Sequence, residues 1–155
     1  MAREVTRRKA SDNVYLHKDF HGGLSGAIDY LHQNYGEQAV KDFLRRFSLT
    51  FYSPLSSALK ERGLCVLKEH FEKIYRDEGG KIEMEFSQDE MILKVQACPA
   101  VMHMRKHGYR VAEMYSETTR TVNEAICEGT DFSAELLEYE AETGRSVQRF
   151  YRTEK

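Results

Sequence analysis

Four of the six histidines fall in two pairs whose members are four residues apart, His17 with His21 and His103 with His107. On a helix this spacing places both imidazoles on one face, within reach of one metal ion. An HxxxH spacing is weak evidence for a metal, and neither pair carries the glutamate of a zinc-protease motif. Both pairs could instead face solvent. The pattern therefore assigns no metal, and it leaves any cofactor unknown.

Cysteine offers a second kind of chemistry at Cys98, which immediately precedes Pro99 and a predicted helix. The positive end of a helix dipole can lower the pKa of a thiol and favour the nucleophilic thiolate. His103 is close enough in sequence to be considered as its base. The alternative is that Cys98 is simply a buried thiol. We expect Cys65 to be a core residue and Cys127 to be either core or pocket wall.

Polar side chains are dense in the segment YSETTRTVNEAICEG. Thr118 and Asn123 lie near its apolar stripe, and neutral hydrogen-bonding groups that face an interior often line a pocket. Together with Tyr109 and Tyr115 they would suit a small polar or aromatic ligand. The alternative for Glu117 and its neighbours is ordinary surface ion pairing and helix capping.

Composition restricts the class of protein to which this chain can belong. The 155 residues include 23 basic and 25 acidic side chains, a net charge of −2 that argues against a nucleic-acid-binding protein. The absence of a long apolar run argues against a membrane protein. Three widely spaced cysteines, an odd number, suggest reduced thiols and a cytoplasmic location. We expect a flexible arm over residues 1–14 and a single domain over residues 15–155.

Apolar periodicity predicts which elements must position these residues. Helical spacing covers residues 22–36, 37–52 and 64–80, with a break at Ser53–Pro54 where serine would cap a further helical stretch. Strand alternation predicts one hairpin over 81–98, and a second over 133–152 with a turn at Gly144. Between the hairpins we expect a short helix after Pro99 and a long helix over 110–128. This order predicts an α+β fold, with helices packed on a four-stranded antiparallel sheet built from two β-hairpins.

The run from Cys98 to Arg152, together with the segment LHKDFHGGL, resembles small bacterial proteins of the L-2-amino-thiazoline-4-carboxylic acid hydrolase-like family. The closing pattern E-x-x-x-x-G-x-x-x-x-F is similar to the last hairpin of the wider 4-vinyl reductase domain group. The resemblance implies helices packed on a four-stranded antiparallel sheet, and a hydrolytic ring opening that breaks carbon–nitrogen bonds. Where members of the family often have cysteine, this chain has Ser116 and Val147.

The resemblance and the residues together predict a hydrolase acting on carbon–nitrogen bonds of a small cyclic amino acid or related heterocycle. Cys98 would be the nucleophile or a pocket thiol, His103 the base, and Glu117 a catalytic carboxylate that orients the substrate. The predicted ligand-binding residues are His17, His21, Tyr109, Tyr115, Thr118 and Asn123. Two alternatives remain open: a non-catalytic small-ligand-binding or sensory domain of the 4-vinyl reductase type, and a scaffold that forms a homodimer.

Overall fold

The computed structural model describes residues 19–154, so the predicted arm over 1–14 and the ligand residue His17 lie outside the described residues. Four helices come first, followed by a hairpin, two more helices and a second hairpin. The elements are α1 (Asp19–Tyr35), α2 (Glu37–Phe51), α3 (Ser53–Arg62), α4 (Cys65–Glu78), β1 (Ile82–Phe86), β2 (Glu90–Val95), α5 (Pro99–Lys106), α6 (Glu117–Cys127), β3 (Phe132–Glu140) and β4 (Arg145–Arg152).

The two hairpins join into one antiparallel sheet with the strand order β1-β2-β4-β3, which confirms the predicted α+β architecture. The two hairpins meet where β2 pairs with β4, and there Met91 is opposite Phe150 and Leu93 is opposite Gln148. Alternate residues of β2 and β4 are buried. One face of each strand therefore packs against the helices, as period-two alternation requires.

A single cluster of buried side chains connects the helices with this inner face of the sheet. Members that are fully buried include Ile28, Leu44, Leu59, Leu67, Met91 and Phe150. None of the described helices is both long enough and apolar enough to cross a lipid bilayer.

The long helix predicted over 110–128 is wrong, because α6 begins only at Glu117 and the preceding residues form loop and turns. The cause lies in α1, where the buried Ser25 hydroxyl donates to the Arg110 carbonyl at 2.9 Å. The same hydroxyl accepts the Ala112 N–H at 2.8 Å. The Arg110 carbonyl, which a helix over 110–128 would pair with the N–H of Met114, is thus held by a side chain of another element.

Cys98 was expected to close the second strand, but β2 ends at Val95 and Cys98 is the N-cap residue of α5. The Cys98 N–H donates to the Thr143 carbonyl at 2.8 Å, in the turn between β3 and β4. The turn of the second hairpin therefore fixes the start of α5. Gly144 in this turn has a φ of 68°, the left-handed conformation predicted for it.

The predicted helix break at Ser53 is present, although the capping residue is Tyr52 rather than Ser53. The Tyr52 N–H donates to Ser48 O of α2, while Tyr52 O accepts the Ser56 N–H, each at 2.9 Å. One residue consequently ends α2 and begins α3. Pro54 occupies the first turn of α3, where its missing N–H costs no hydrogen bond.

Candidate functional site

The Cys98 thiol lies at the start of α5, where its half-buried side chain packs against the core. Burial is the main influence on this group and raises the pKa of the thiol above its usual range. The N–H groups of Ala100 and Val101, in the first turn of α5, act in the opposite direction and lower the pKa. Because burial outweighs them, Cys98 carries its proton at neutral pH.

Three tyrosines lie close enough to this thiol to interact with it electrostatically. Tyr75 comes from α4, Tyr115 from the turn before α6, and Tyr139 from β3. Burial raises the pKa of each phenol, with the neighbouring Cys98 as the next largest influence, and the pKa of Tyr139 rises to about 12. All three phenols therefore remain protonated and can donate or accept hydrogen bonds.

A carboxylate completes the group, because Glu78 is the last residue of α4 and its side chain is only 12% exposed. Its negative charge contributes to raising the pKa of Cys98, Tyr75 and Tyr115, after burial in each case. Among the described residues its ion-pair partner is His21 of α1, whose Nε2 lies 3.6 Å from Glu78 Oε1. A carboxylate at the negative end of a helix is electrostatically unfavourable, and burial makes it more so.

We call the side chains of Tyr75, Glu78, Cys98, Tyr115 and Tyr139 the Cys98 cluster, with His21 at its edge. The cluster contains Cys98 and Tyr115 from the sequence-based set, and His21 borders it. Sequence reasoning missed Tyr75, Glu78 and Tyr139. The spacing Phe71, Tyr75, Glu78 places two of them on the buried stripe of α4, and this was the available signal.

Asn123 belongs to a buried hydrogen-bond network next to the cluster. Its Nδ2 donates to Gln148 Oε1 at 2.8 Å, and Gln148 Nε2 donates to Ser146 Oγ at 3.0 Å. The Gln148 amide also acts on the pKa of Tyr75, so the network reaches the cluster. Asn123 therefore links α6 to the central strand β4, and its amide nitrogen already has a protein partner.

The other predicted residues of α6 contact their own helix. Glu117 is buried, and its carboxylate accepts hydrogen bonds from Thr121 Oγ1 at 2.6 Å and Arg120 Nη1 at 2.7 Å. Thr118 Oγ1 donates to the Tyr115 carbonyl at 2.7 Å. These contacts stabilise the first turn of α6, and the predicted catalytic role of Glu117 stays a prediction.

The predicted base His103 forms an aromatic group with His107 and Tyr109 at the end of α5. The ring centroids of the two histidines lie 4.3 Å apart, and that of His107 lies 5.8 Å from that of Tyr109. The Tyr109 ring also packs against α1 at Gly22, where an added Cβ would lie 3.2 Å from Tyr109 Cδ2.

Within residues 19–154, no three His, Cys, Asp or Glu side chains are arranged to hold one metal ion.

A separate surface groove of about 590 Å³ lies between α6 and β3. Its carboxylates Glu128 and Glu135 accept hydrogen bonds from Arg45 and Arg149, respectively. Tyr151 Oη also donates to Glu135 at 3.2 Å. Most of the charges in this groove already have protein partners, and none of its lining residues belongs to the Cys98 cluster.

The other two cysteines are free thiols in different surroundings. Cys65 is half-buried rather than part of the core, and its Sγ donates to the Arg62 carbonyl at 3.3 Å. Cys127 belongs to the core, and burial raises its pKa to about 12. Cys65 is therefore not the core residue that was expected. Cys127, expected to be core or pocket wall, belongs to the core and also lines the groove between α6 and β3.

Alkaline pH should destabilise the fold through Cys127. Between the ordinary thiol pKa and about 12, the unfolded chain releases this proton while the folded chain retains it. The free energy of unfolding should therefore fall as pH rises through this window, by about 1.4 kcal/mol per pH unit from this group. Urea unfolding at several pH values measures the slope. Cys127→Ala and Cys127→Ser should both show a shallower slope, and a slope equal to that of the wild type in both variants would contradict this assignment.

Comparison of the chain with protein-family models gives no match, and comparison with curated proteins gives none either.

Proposed function

We propose that this protein binds a small molecule carrying a positively charged nitrogen, and that Glu78 in the Cys98 cluster recognises this charge. The observation that carries the proposal is a mostly buried carboxylate whose partner among the described residues is a histidine 3.6 Å away. Keeping such a charge at the C-terminal end of a helix costs stability, and a cationic ligand would offset that cost.

The remaining members of the cluster favour the same ligand class. A cationic ligand would neutralise Glu78, while the phenols of Tyr75, Tyr115 and Tyr139 offer hydrogen-bond acceptors and aromatic faces that attract cations. The resemblance of the second half of the chain to hydrolases of a cyclic amino acid points to the same chemistry. His21 at the edge would meet the ligand on the side of α1.

Glu78→Gln tests this proposal, because it keeps the size of the side chain and removes its charge. The probe is aminothiazoline, a cyclic amidine that takes up a proton, compared with thiazolidinone, its neutral oxygen analogue. We expect calorimetric titration to show that the wild-type protein binds the amidine in preference to the neutral analogue. Loss of one charged hydrogen bond, about 1.5–3 kcal/mol, should weaken binding of the amidine to Glu78→Gln about 10- to 100-fold.

The matched control is Glu72→Gln, on the same helix but at an exposed position. It removes one negative charge from α4 without touching the cluster, so its affinity for the amidine should equal that of the wild type. Equal weakening in both variants would show a general charge effect and contradict the role of Glu78. Absence of binding to the wild type, or equal affinity for the neutral analogue, would contradict the proposed ligand class.

Hydrolysis of a carbon–nitrogen bond is the second candidate function. The position of Cys98 at the start of α5, within electrostatic range of the Glu78 carboxylate, favours it. In this reaction Sγ attacks the electrophilic carbon while its proton passes to Glu78. That proton then moves to the departing nitrogen as the carbon–nitrogen bond breaks, and water hydrolyses the resulting carbon–sulfur bond to restore the thiol. The raised pKa of Cys98 means that the thiol needs such a base.

A turnover assay on L-2-amino-thiazoline-4-carboxylic acid, the substrate that the resemblance implies, separates binding from catalysis. If the protein is a hydrolase, Cys98→Ala should abolish ring opening while retaining affinity for the amidine. Full turnover by this variant would contradict the nucleophile assignment, whereas binding without turnover in the wild type would favour the non-catalytic alternative.

Three free thiols suit a reducing compartment, so we propose that the protein acts in the cytoplasm.

A further inference from the structure

One face of α2 exposes a stripe of aromatic rings. Phe43, Phe47 and Phe51 follow one another at intervals of four residues, and the rings of Phe47 and Phe51 stack with centroids 5.3 Å apart. Phe51 is 64% exposed and Phe43 is 39% exposed. The neighbouring face of the helix is already occupied, since Leu44 is fully buried in the core. Contiguous exposed apolar surface of this kind is typical of an interaction site.

The stripe borders a groove of about 770 Å³, whose ends are lined by smaller side chains. Ala39 lies one turn before Phe43, and Thr50 lies just before Phe51. In an antiparallel pair of these helices, Phe51 of one copy would lie over Ala39 of the other, and Phe43 over Phe47. The face therefore has the pattern of large and small residues that an isologous contact needs.

The charges on this face are also self-complementary. Asp42 and Arg46 both line the groove. Asp42 accepts a hydrogen bond from Gln38 Nε2 at 2.9 Å, and within residues 19–154 neither Asp42 nor Arg46 forms an ion pair. The antiparallel arrangement that superposes the aromatic residues brings Asp42 of each copy close to Arg46 of the other. One two-fold axis near the middle of α2 thus satisfies both the apolar and the charged residues.

We propose that the aromatic face of α2 binds the same face of a second copy of the chain, antiparallel and about a two-fold axis. The stripe is smaller than the roughly 800 Å² per partner of a standard interface, so the dimer should be weak. A dissociation constant on the order of micromolar is expected for such an interface. Sedimentation analysis over a range of protein concentrations measures this constant directly.

Charge exchange tests both the face and its orientation. Asp42→Arg places two arginines opposite one another in the dimer, and Arg46→Asp places two aspartates there. Each single variant should therefore dimerise at least 10-fold more weakly than the wild type. The double variant Asp42→Arg, Arg46→Asp restores opposite charges and should recover most of the lost affinity. The matched controls are Glu61→Arg and Lys60→Asp, at exposed positions of α3, which should dimerise like the wild type.

A further variant addresses the apolar stripe without changing charge. Phe51→Ser should weaken dimerisation, and because Phe51 is mostly exposed its circular dichroism spectrum should match that of the wild type. A wild-type protein that stays monomeric at the highest concentration would overturn the proposal. A dimer that is insensitive to all the α2 variants would do the same, since its interface would lie elsewhere. Failure of the double variant to recover would overturn the antiparallel arrangement.

Discussion

Gly144→Ala should lower the free energy of unfolding by about 3 kcal/mol. The added methyl group would lie 2.5 Å from Cys98 Cβ and 2.9 Å from Val101 Cγ2, distances that require the turn or α5 to move. Overpacking of this kind costs about 1–3 kcal/mol, and a non-glycine residue at positive φ adds about 1 kcal/mol. The loss should appear in urea unfolding as a lower midpoint with an unchanged slope.

Gly129→Ala is the matched control, because Gly129 also has a positive φ but no atom lies within 4 Å of its added Cβ. It should lose only the backbone contribution, about 1 kcal/mol. The difference between the two variants therefore measures the contact between the β3–β4 turn and α5. Equal losses would show that this contact contributes nothing, and the turn would then not be what holds Cys98 in place.

Gln148→Leu should lower the free energy of unfolding by about 2–3 kcal/mol. Gln148 is 3% exposed in the central strand β4, and it accepts from Asn123 and donates to Ser146. Leucine would leave the Asn123 Nδ2 group buried without an acceptor, and an unsatisfied buried polar group costs about 1–3 kcal/mol. Thermal or urea unfolding measures the loss.

The double variant Asn123→Leu, Gln148→Leu isolates the pair. It removes both amides together, so neither amide is left unsatisfied and only the Ser146 hydroxyl loses a partner. It should therefore be more stable than the sum of the single losses predicts, by at least about 1 kcal/mol. Asn123→Leu alone should lose stability like Gln148→Leu. Simple additivity in this cycle would mean that the two amides act independently and that the network does not link α6 to the sheet.

The local pattern of the sequence was sufficient for most of the fold. Period-two alternation in the two predicted hairpins, together with the turn at Gly144, predicted the four strands and their pairing partners within each hairpin. Helical spacing of apolar residues predicted α1, α2 and α4 within a few residues. These features depend on interactions between residues a few positions apart, and such interactions are visible in the chain itself.

The long helix over 110–128 shows where local pattern fails. Its apolar spacing is compatible with a helix, yet the hydroxyl of Ser25, which lies 85 or more positions earlier in the chain, holds two of its backbone groups. A distant element also decides the role of Cys98. Because the Cys98 N–H donates to the Thr143 carbonyl, Cys98 caps α5 instead of ending a strand. In both cases a hydrogen bond from a distant element competes with the local preference and prevails.

In the candidate site, too, sequence predicted some of the residues and tertiary structure decided the others. Sequence alone identified Cys98 as the thiol at a helix start. The ligand-binding role that it predicted for Tyr115 and His21 stays a prediction. Only the tertiary structure brings Tyr75, Glu78 and Tyr139 within electrostatic range of that thiol. His103 is close to Cys98 in sequence, yet its ring contacts are with His107 and Tyr109. Sequence distance determines proximity within a helix or hairpin, whereas burial of apolar faces determines which elements meet, so the chemical surroundings of Cys98 are a property of the tertiary structure.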